Sequence, residues 1–354
     1  MKCVKLYYNR SGHTSRIITG FHMLEEAGRI SLEMIENKNN SRNIPFASIQ
    51  IEIDDKVITF DMSDSWWLRS VDGFEHLKAV DAYFARSYSS DPAMHLSIVD
   101  PYMEKVKPFG FDYYATYKGN PLDQDNKGIV RSFRDVIGYN RCTYVPYFEG
   151  KAEKKNRDAT IIFMTRLWDP NEVNPDEPGI TDEVKEYRKY MIAERCYINE
   201  QRIRIVKELR KEFGDHFTGG IYEDVFSKTQ CPELVLNRTQ VRKKAYLDKM
   251  KKSDICIGSM GLHKSTGWKT GEYIAAARAI VAEKLIYEVP GDFEEGKNYI
   301  PFNTAEECLQ AVKDLYENPQ RIYDMKKANE QYYQAFLKPD RQILNALEQI
   351  GIYL

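Results

Sequence analysis

The spacing of apolar residues changes several times along the chain, and each change marks an element. Cys3 to Tyr8 is a short apolar run. The loop Asn9-Arg10-Ser11-Gly12-His13 interrupts it, and Thr14 to Ala27 then spaces Ile17, Ile18, Phe21 and Leu24 as a helix does. The pattern predicts strand, turn, helix. Ser48 to Ile53 and Lys56 to Phe60 alternate polar and apolar residues about Asp54-Asp55, which predicts a hairpin. Ala79 to Ala85 and Phe111 to Thr116 read as further strands with helical stretches between them. Polar residues fill Glu149 to Asp158, where a linker is expected.

Beyond that linker the alternation of strand and helix is sharper. Ala159 to Met164 reads as a strand, Ile198 to Phe213 as an amphipathic helix closed by Gly214, and Phe217 to Ile221 as a second strand. Gln240 to Lys252 follows as a helix and Ile255 to Gly258 as a buried strand. A glycine-bearing loop, a helix from Tyr273 to Arg278 and a strand from Ala279 to Ala282 come next. Thr304 with Glu307 forms a capping box, Asn318-Pro319 begins another helix, and Asp340 reads as the N-cap of a last amphipathic helix ending near Ile350. Strands separated by helices predict parallel sheets covered on both faces.

A length of 354 residues exceeds what one core usually holds, so two domains and a cleft between them are expected. With 51 basic and 53 acidic residues, nothing in the balance suggests a nucleic-acid partner. The longest apolar stretch, Ile274 to Leu285, is interrupted by Arg278 and Glu283 and is too short to span a bilayer. The first residues lack the apolar core of a signal peptide, so a cytoplasmic location is expected. The six cysteines and six histidines are scattered without metal-ligand spacing. Neither a metal nor a cofactor is expected.

The segment from Ser253 to Ala282 carries the chemistry. Its layout is strand, loop, helix start, strand, and the loop ends with Gly267, Thr270 and Gly271 beside the first helical turn. Free amides and the helix dipole there favour an anion, and Lys264 and Lys269 add positive charge. Standing alone, such a loop is equally an ordinary strand-to-helix connection.

Its neighbours give it meaning. Glu272-Tyr-Ile-Ala-Ala-Ala-Arg-Ala279 followed by Ile280-Val281-Ala282 resembles the donor-binding half of glycosyltransferases of the two-lobed GT-B fold, bacterial group-one type. Phe163-Met-Thr-Arg-Leu167 is similar to the strand and Arg-Leu turn of that family, and Val289 to Phe302 with Thr304 to Glu307 to its closing strand and helix. The resemblance spans roughly residues 158–337. It implies an α/β architecture of two Rossmann-like domains facing across a cleft: residues 1–156 on the acceptor side, 157–337 on the donor side, and a C-terminal helix within 338–354 that packs back on the first domain.

The resemblance also implies roles. Glu272 would accept from the donor's ribose hydroxyls and Arg166 would neutralise its diphosphate. The chain departs from the family pattern at Lys264, where many retaining members have a glutamate, at Thr165 before the arginine, and at Ala277 and Ala279 in place of glycine and proline. Lys264 is then either a phosphate ligand or an exposed loop lysine. In the first half Ser11 and Gly12 end a strand and approach the phosphates across the cleft. His13, Asp61 and Asp64 are candidates for a general base, although turn caps use the same side chains. Trp66-Trp67 lines a sugar subsite or fills the core. The basic run Arg238 to Lys252 is a solvated face or a surface for anionic lipid, through which the protein would associate peripherally with a membrane.

Taken together, these expectations describe a transferase moving a sugar from a nucleoside-diphosphate sugar to a hydroxyl of a glycan or lipid-linked acceptor, in bacterial glycan or polysaccharide synthesis. A sugar-nucleotide epimerase on the same fold and a non-catalytic sugar-nucleotide-binding subunit are the alternatives.

Overall fold

The computed structural model describes residues 1–66, 71–122, 139–154 and 158–354. Two six-stranded sheets organise them. The first contains β1 (Lys2–Tyr8), β2 (Ile30–Glu36), β3 (Ser48–Ile53), β4 (Lys56–Asp61), β5 (Ala82–Ala85) and β6 (Val106–Pro108), in the order β2-β1-β3-β4-β5-β6. β3 runs antiparallel to β1 and β4, and the remaining pairs are parallel. Asp54 and Asp55 turn the β3–β4 hairpin with φ of 49° and 61°, the left-handed pair that matches strand twist.

The second sheet contains β7 (Ile161–Thr165), β8 (Phe217–Tyr222), β9 (Val235–Leu236), β10 (Ile255–Gly258), β11 (Ala279–Glu283) and β12 (Ile300–Phe302). Its order is β12-β11-β10-β7-β8-β9 and every pairing is parallel. This is doubly wound topology, in which winding reverses between β7 and β10. Every residue of β7, β10 and β11 is buried, as strands covered by helices on both faces require.

Several expectations need correction. Phe111 to Thr116 is not a strand; only Thr116 makes a bridge, to Tyr144. Its alternation has another cause. Phe111, Tyr113 and Ala115 pack into the core of the second sheet, while Asp112 turns the other way onto Arg16. The edge strand β2 escapes the apolar pattern because most of its residues, including Glu33, stay at least partly exposed. The Ile198 to Phe213 helix begins earlier, at Asp182, where Thr181 caps it by accepting from Val184 N. The glycine-loop helix runs Trp268–Ala275, ahead of the expected start. Asp340 lies inside the last helix, Pro339–Glu348, and Lys338 holds the N-cap position.

The two halves are docked through buried polar contacts. Arg16 donates from Nε to Asp112 Oδ1 at 2.9 Å, from Nη2 to the Phe111 carbonyl at 2.6 Å, and from Nη1 to Gln342. All this lies inside the protein, where an arginine left unpaired would be costly. The Pro339–Glu348 helix packs on the Ser15–Glu26 helix, and Gly20 permits it: a Cβ there would stand 2.5 Å from the Pro339 carbonyl oxygen. Gly271 likewise lets the backbone of Asp112 approach, since its Cβ would fall 2.4 Å from that residue's oxygen.

Candidate active site

In doubly wound sheets ligands bind outside the carboxyl ends of the strands where the winding reverses. Here that crevice lies between the turn after β7, beginning at Arg166, and the loop Ser259 to Gly267 after β10. Gly267 caps the Trp268–Ala275 helix and has no side chain to bond its first amides, so the helix start is suited to an anion.

Arg202, on the Asp182–Phe213 helix, fastens the two loops together. It donates from Nη1 to the Arg166 carbonyl at 2.6 Å, from Nη2 to the Met260 carbonyl at 2.8 Å, and from Nε to Ser259 Oγ at 3.1 Å. Glu283, closing β11, accepts from Met260 N at 2.6 Å. Burial lowers the Arg202 pKa to about 10 and raises that of Glu283, and each charge offsets part of the other's penalty.

Above this brace sit the charged groups of the crevice. The Arg166 guanidinium stacks over the Trp168 ring at 3.6 Å, and its partial burial lowers its pKa without discharging it. Lys269 donates from Nζ to the Met164 carbonyl and lies 4.8 Å from the Tyr222 ring and 5.2 Å from that of Tyr246. Burial pushes its pKa down to about 7; Arg202, Lys243 and Arg166 push the same way, and Glu272 opposes them. Glu272 is 1 % exposed. One carboxylate oxygen accepts from Lys243 and the other, Oε2, is buried without a partner. Ala277 follows this helix at φ 53°, so the left-handed turn is kept although the residue is alanine.

The first domain faces this crevice with the loops that leave β1, β4 and β5. The His13 ring meets Trp268 edge-on at 5.0 Å, and Tyr114 lies 6.0 Å from the same ring. Ser11 Oγ and His13 Nδ1 are buried without partners. Gly12 beside them is exposed. Buried Arg86 joins the domains, donating from Nη1 to Asp64 Oδ1 at 2.6 Å and from Nη2 to the Thr266 carbonyl. Asp64 in turn acts electrostatically on Arg166.

The structure thus gathers Ser11, Gly12, His13, Asp64, Arg166, Gly267, Lys269, Thr270 and Glu272 about one crevice. It sets two expected residues, Asp61 and Gly271, apart. Asp61 is 2 % exposed and accepts from Tyr83 OH at 2.7 Å, Ser63 N at 2.9 Å and Ser48 Oγ at 3.2 Å, so it is a strut with no oxygen to spare for a base. Gly271 serves the close contact with Asp112. Lys264 stays on the loop that bounds the crevice, exposed and at a left-handed φ of 56°.

Trp66 belongs to a core cluster with Tyr83 and Val99, whereas Trp67 lies outside the described residues. The basic run splits into the Arg238–Val241 turn and the Lys243–Lys252 helix, and several of its charges are paired. Lys243 pairs with Glu272, Lys244 with Asp248, Arg238 with Glu223, and Lys251 donates to the Tyr147 carbonyl. Among the described residues no group of three or more His, Cys, Asp or Glu is placed to hold a metal, and no helix is long and apolar enough to cross a membrane.

Arg202, Lys243 and Arg86 were not foreseen. A signal existed for the first: Arg202 shares a helix face with Ile198, Ile205 and Leu209, and a cation on an apolar face needs buried acceptors.

No family model matches the chain, and no curated protein does. Solved structures similar to it include the Anabaena HepE protein in complex with UDP and glucose, at 12% identity, covering 98% of this chain and 100% of that one, with a TM-score of 0.42. Another is the Staphylococcus aureus MnaA–UDP structure, at 11% identity, 99% and 97% coverage and a TM-score of 0.44. The C-terminal domain of a group 1 family glycosyl transferase, LpcC, from Francisella tularensis matches at 10% identity over 54% of this chain and 95% of that one, with a TM-score of 0.34. Likenesses this distant carry no weight for function.

Proposed function

We propose that the crevice binds a nucleoside-diphosphate sugar and that the protein transfers the glycosyl group to a hydroxyl acceptor. One observation carries the reading: at the reversal of a doubly wound sheet, Lys243 holds a buried carboxylate, Glu272, whose second oxygen is unpaired among the described residues, and Lys269 beside it is acted on by Glu272, Lys243 and Arg166. Cations beside an open helix start suit a diphosphate, and a buried acceptor that is short of a donor suits a hydroxyl of the same ligand. Glu272 then takes the ribose, and Arg166 and Lys269 take the phosphates.

The reaction follows from that placement. The acceptor oxygen forms a bond to the anomeric carbon as the bond from that carbon to the diphosphate oxygen breaks, and the departing diphosphate carries away the electron pair. Arg166 and Lys269 stabilise the charge that grows on it. His13, across the crevice with an unpartnered ring nitrogen, receives the acceptor's proton.

The test is calorimetric titration with a panel of nucleoside diphosphates, followed by Glu272→Gln. Ribonucleotide affinity is expected to fall by about 1.5–3 kcal/mol, the range for hydrogen bonds to charged groups, and affinity for the 2′,3′-dideoxy form to stay nearly constant. Equal losses for both ligands would remove Glu272 from ribose recognition.

A further inference from the structure

Glu272 is fully buried, yet only half of its carboxylate is accounted for. Oε1 accepts from Lys243 Nζ and Oε2 has no partner. The lysine begins the Lys243–Lys252 helix, and its ammonium lies 5.5 Å from the centroid of the Phe148 ring and 5.8 Å from that of Tyr246. Two aromatic faces and a carboxylate therefore fix one cation, while its side chain stays 35% exposed. Other charged or titratable groups acting on the same place are Lys269 from the Trp268–Ala275 helix, Tyr222 from the end of β8, and Tyr246 and Tyr273.

A carboxylate in such surroundings stays charged and in one orientation only if a counter-charge holds it. Lys269 acts on Glu272 electrostatically, but its hydrogen bond goes to the Met164 carbonyl, so the direct contact with the carboxylate is made by Lys243. We propose that Lys243 is a positioning residue: it clamps Oε1 so that Glu272 presents Oε2, ionised, to the ligand's hydroxyls. The inference rests on the ribose role given to Glu272 above. It assigns Lys243 no contact with the ligand. Without the lysine, the buried carboxyl is no longer fixed in one orientation, and Oε2 is no longer aimed as a strong acceptor.

The experiment compares wild type, Lys243→Met, Lys243→Arg, Glu272→Gln and the Lys243→Met/Glu272→Gln double variant. The probes are UDP, GDP, ADP and CDP, and for whichever binds wild type, its 2′,3′-dideoxy counterpart, titrated from pH 6 to 9. The quantity read is the ratio of ribo to dideoxy affinity, in which changes in phosphate binding cancel.

Lys243→Met is expected to shrink this ratio about tenfold at pH 7, the difference between a charged and a neutral acceptor. Lys243→Arg should keep the wild-type ratio, and the double variant should be no worse than Glu272→Gln alone. Loss of both affinities by the same factor in Lys243→Met would make the lysine a phosphate ligand and overturn the proposal. An unchanged ratio in Lys243→Met, with Glu272→Gln still reducing it, would also overturn the proposal while leaving Glu272's role intact. If wild type binds no nucleoside diphosphate, or binds both sugar forms equally, the ribose reading itself falls and takes this proposal with it.

Discussion

Lys269 ties anion binding to pH in a direction that can be worked out. Its ammonium is buried among the Tyr222 and Tyr246 rings, and burial together with Arg202, Lys243 and Arg166 brings its pKa to about 7. At pH 8 the free protein therefore holds this side chain mostly neutral. A diphosphate placed beside it restores opposite charge and raises the pKa, so binding takes up a proton. Each pH unit above 7 then costs up to about 1.4 kcal/mol, a factor of ten in Kd, until the pKa of the complex is reached.

Titration calorimetry at pH 6.5 to 9, in two buffers of different ionisation enthalpy, should show affinity falling above pH 7 with uptake approaching one proton. Lys269→Met should bind more weakly at pH 7 and lose the slope. Fold stability moves the other way. The unfolded lysine keeps its proton up to its ordinary pKa of 10.5 and the folded one does not, so this group makes the fold more stable as pH rises from about 7 to 10.5. A general loss of structure at high pH therefore does not imitate the predicted loss of affinity. A pH-independent Kd in wild type, or an equal slope in Lys269→Met, would rule out this role for Lys269.

Two further outcomes test the site and its frame. Arg166→Ala should weaken nucleoside-diphosphate binding by about 1.5–3 kcal/mol and leave the free nucleoside almost unaffected; matching losses in equilibrium dialysis would reduce Arg166 to a partner for Trp168. Gly271→Ala places a Cβ 2.4 Å from the Asp112 oxygen, so it should cost about 1–3 kcal/mol of stability and lower the melting temperature. An unchanged transition would mean that this contact does not form in solution.

The alternation of periods was enough to reveal β1, the β3–β4 hairpin and the repeated strand and helix of the second half, because those strands are buried on both faces or pair locally. It failed where burial was shared. Phe111 to Thr116 alternates because it is gripped between two domains, and no local rule separates that from a strand. At the site, helix position and family pattern point to Glu272, Arg166 and the loop residues, which the fold brings to one crevice. Lys243 was not, since it reaches Glu272 from 29 residues away and reads in sequence as one of a run of surface lysines. Asp61 misled for the opposite reason: a carboxylate ending a strand looks the same whether it serves a substrate or ties down Tyr83.

What distinguishes the crevice from the rest of the interior is how its charges are used. Buried Arg278 spends its guanidinium on the carbonyls of Ala276, Lys251, Ser253 and Lys151, and Asp254 meets Lys326 at 2.6 Å. Those groups are consumed by the fold. Glu194 and Asp340 also keep an oxygen without a partner, but both are only partly buried, where water reaches the rest of the carboxyl. Glu272 combines 1 % exposure with an open oxygen. Folding alone gives no reason to bury a carboxylate, supply it with one lysine, leave its second oxygen unsatisfied and hold another lysine near pH 7 beside it. Replacing the set with apolar residues would remove those penalties. The proposed ligand, bringing both hydroxyl donors and negative charge, would resolve all of them at once.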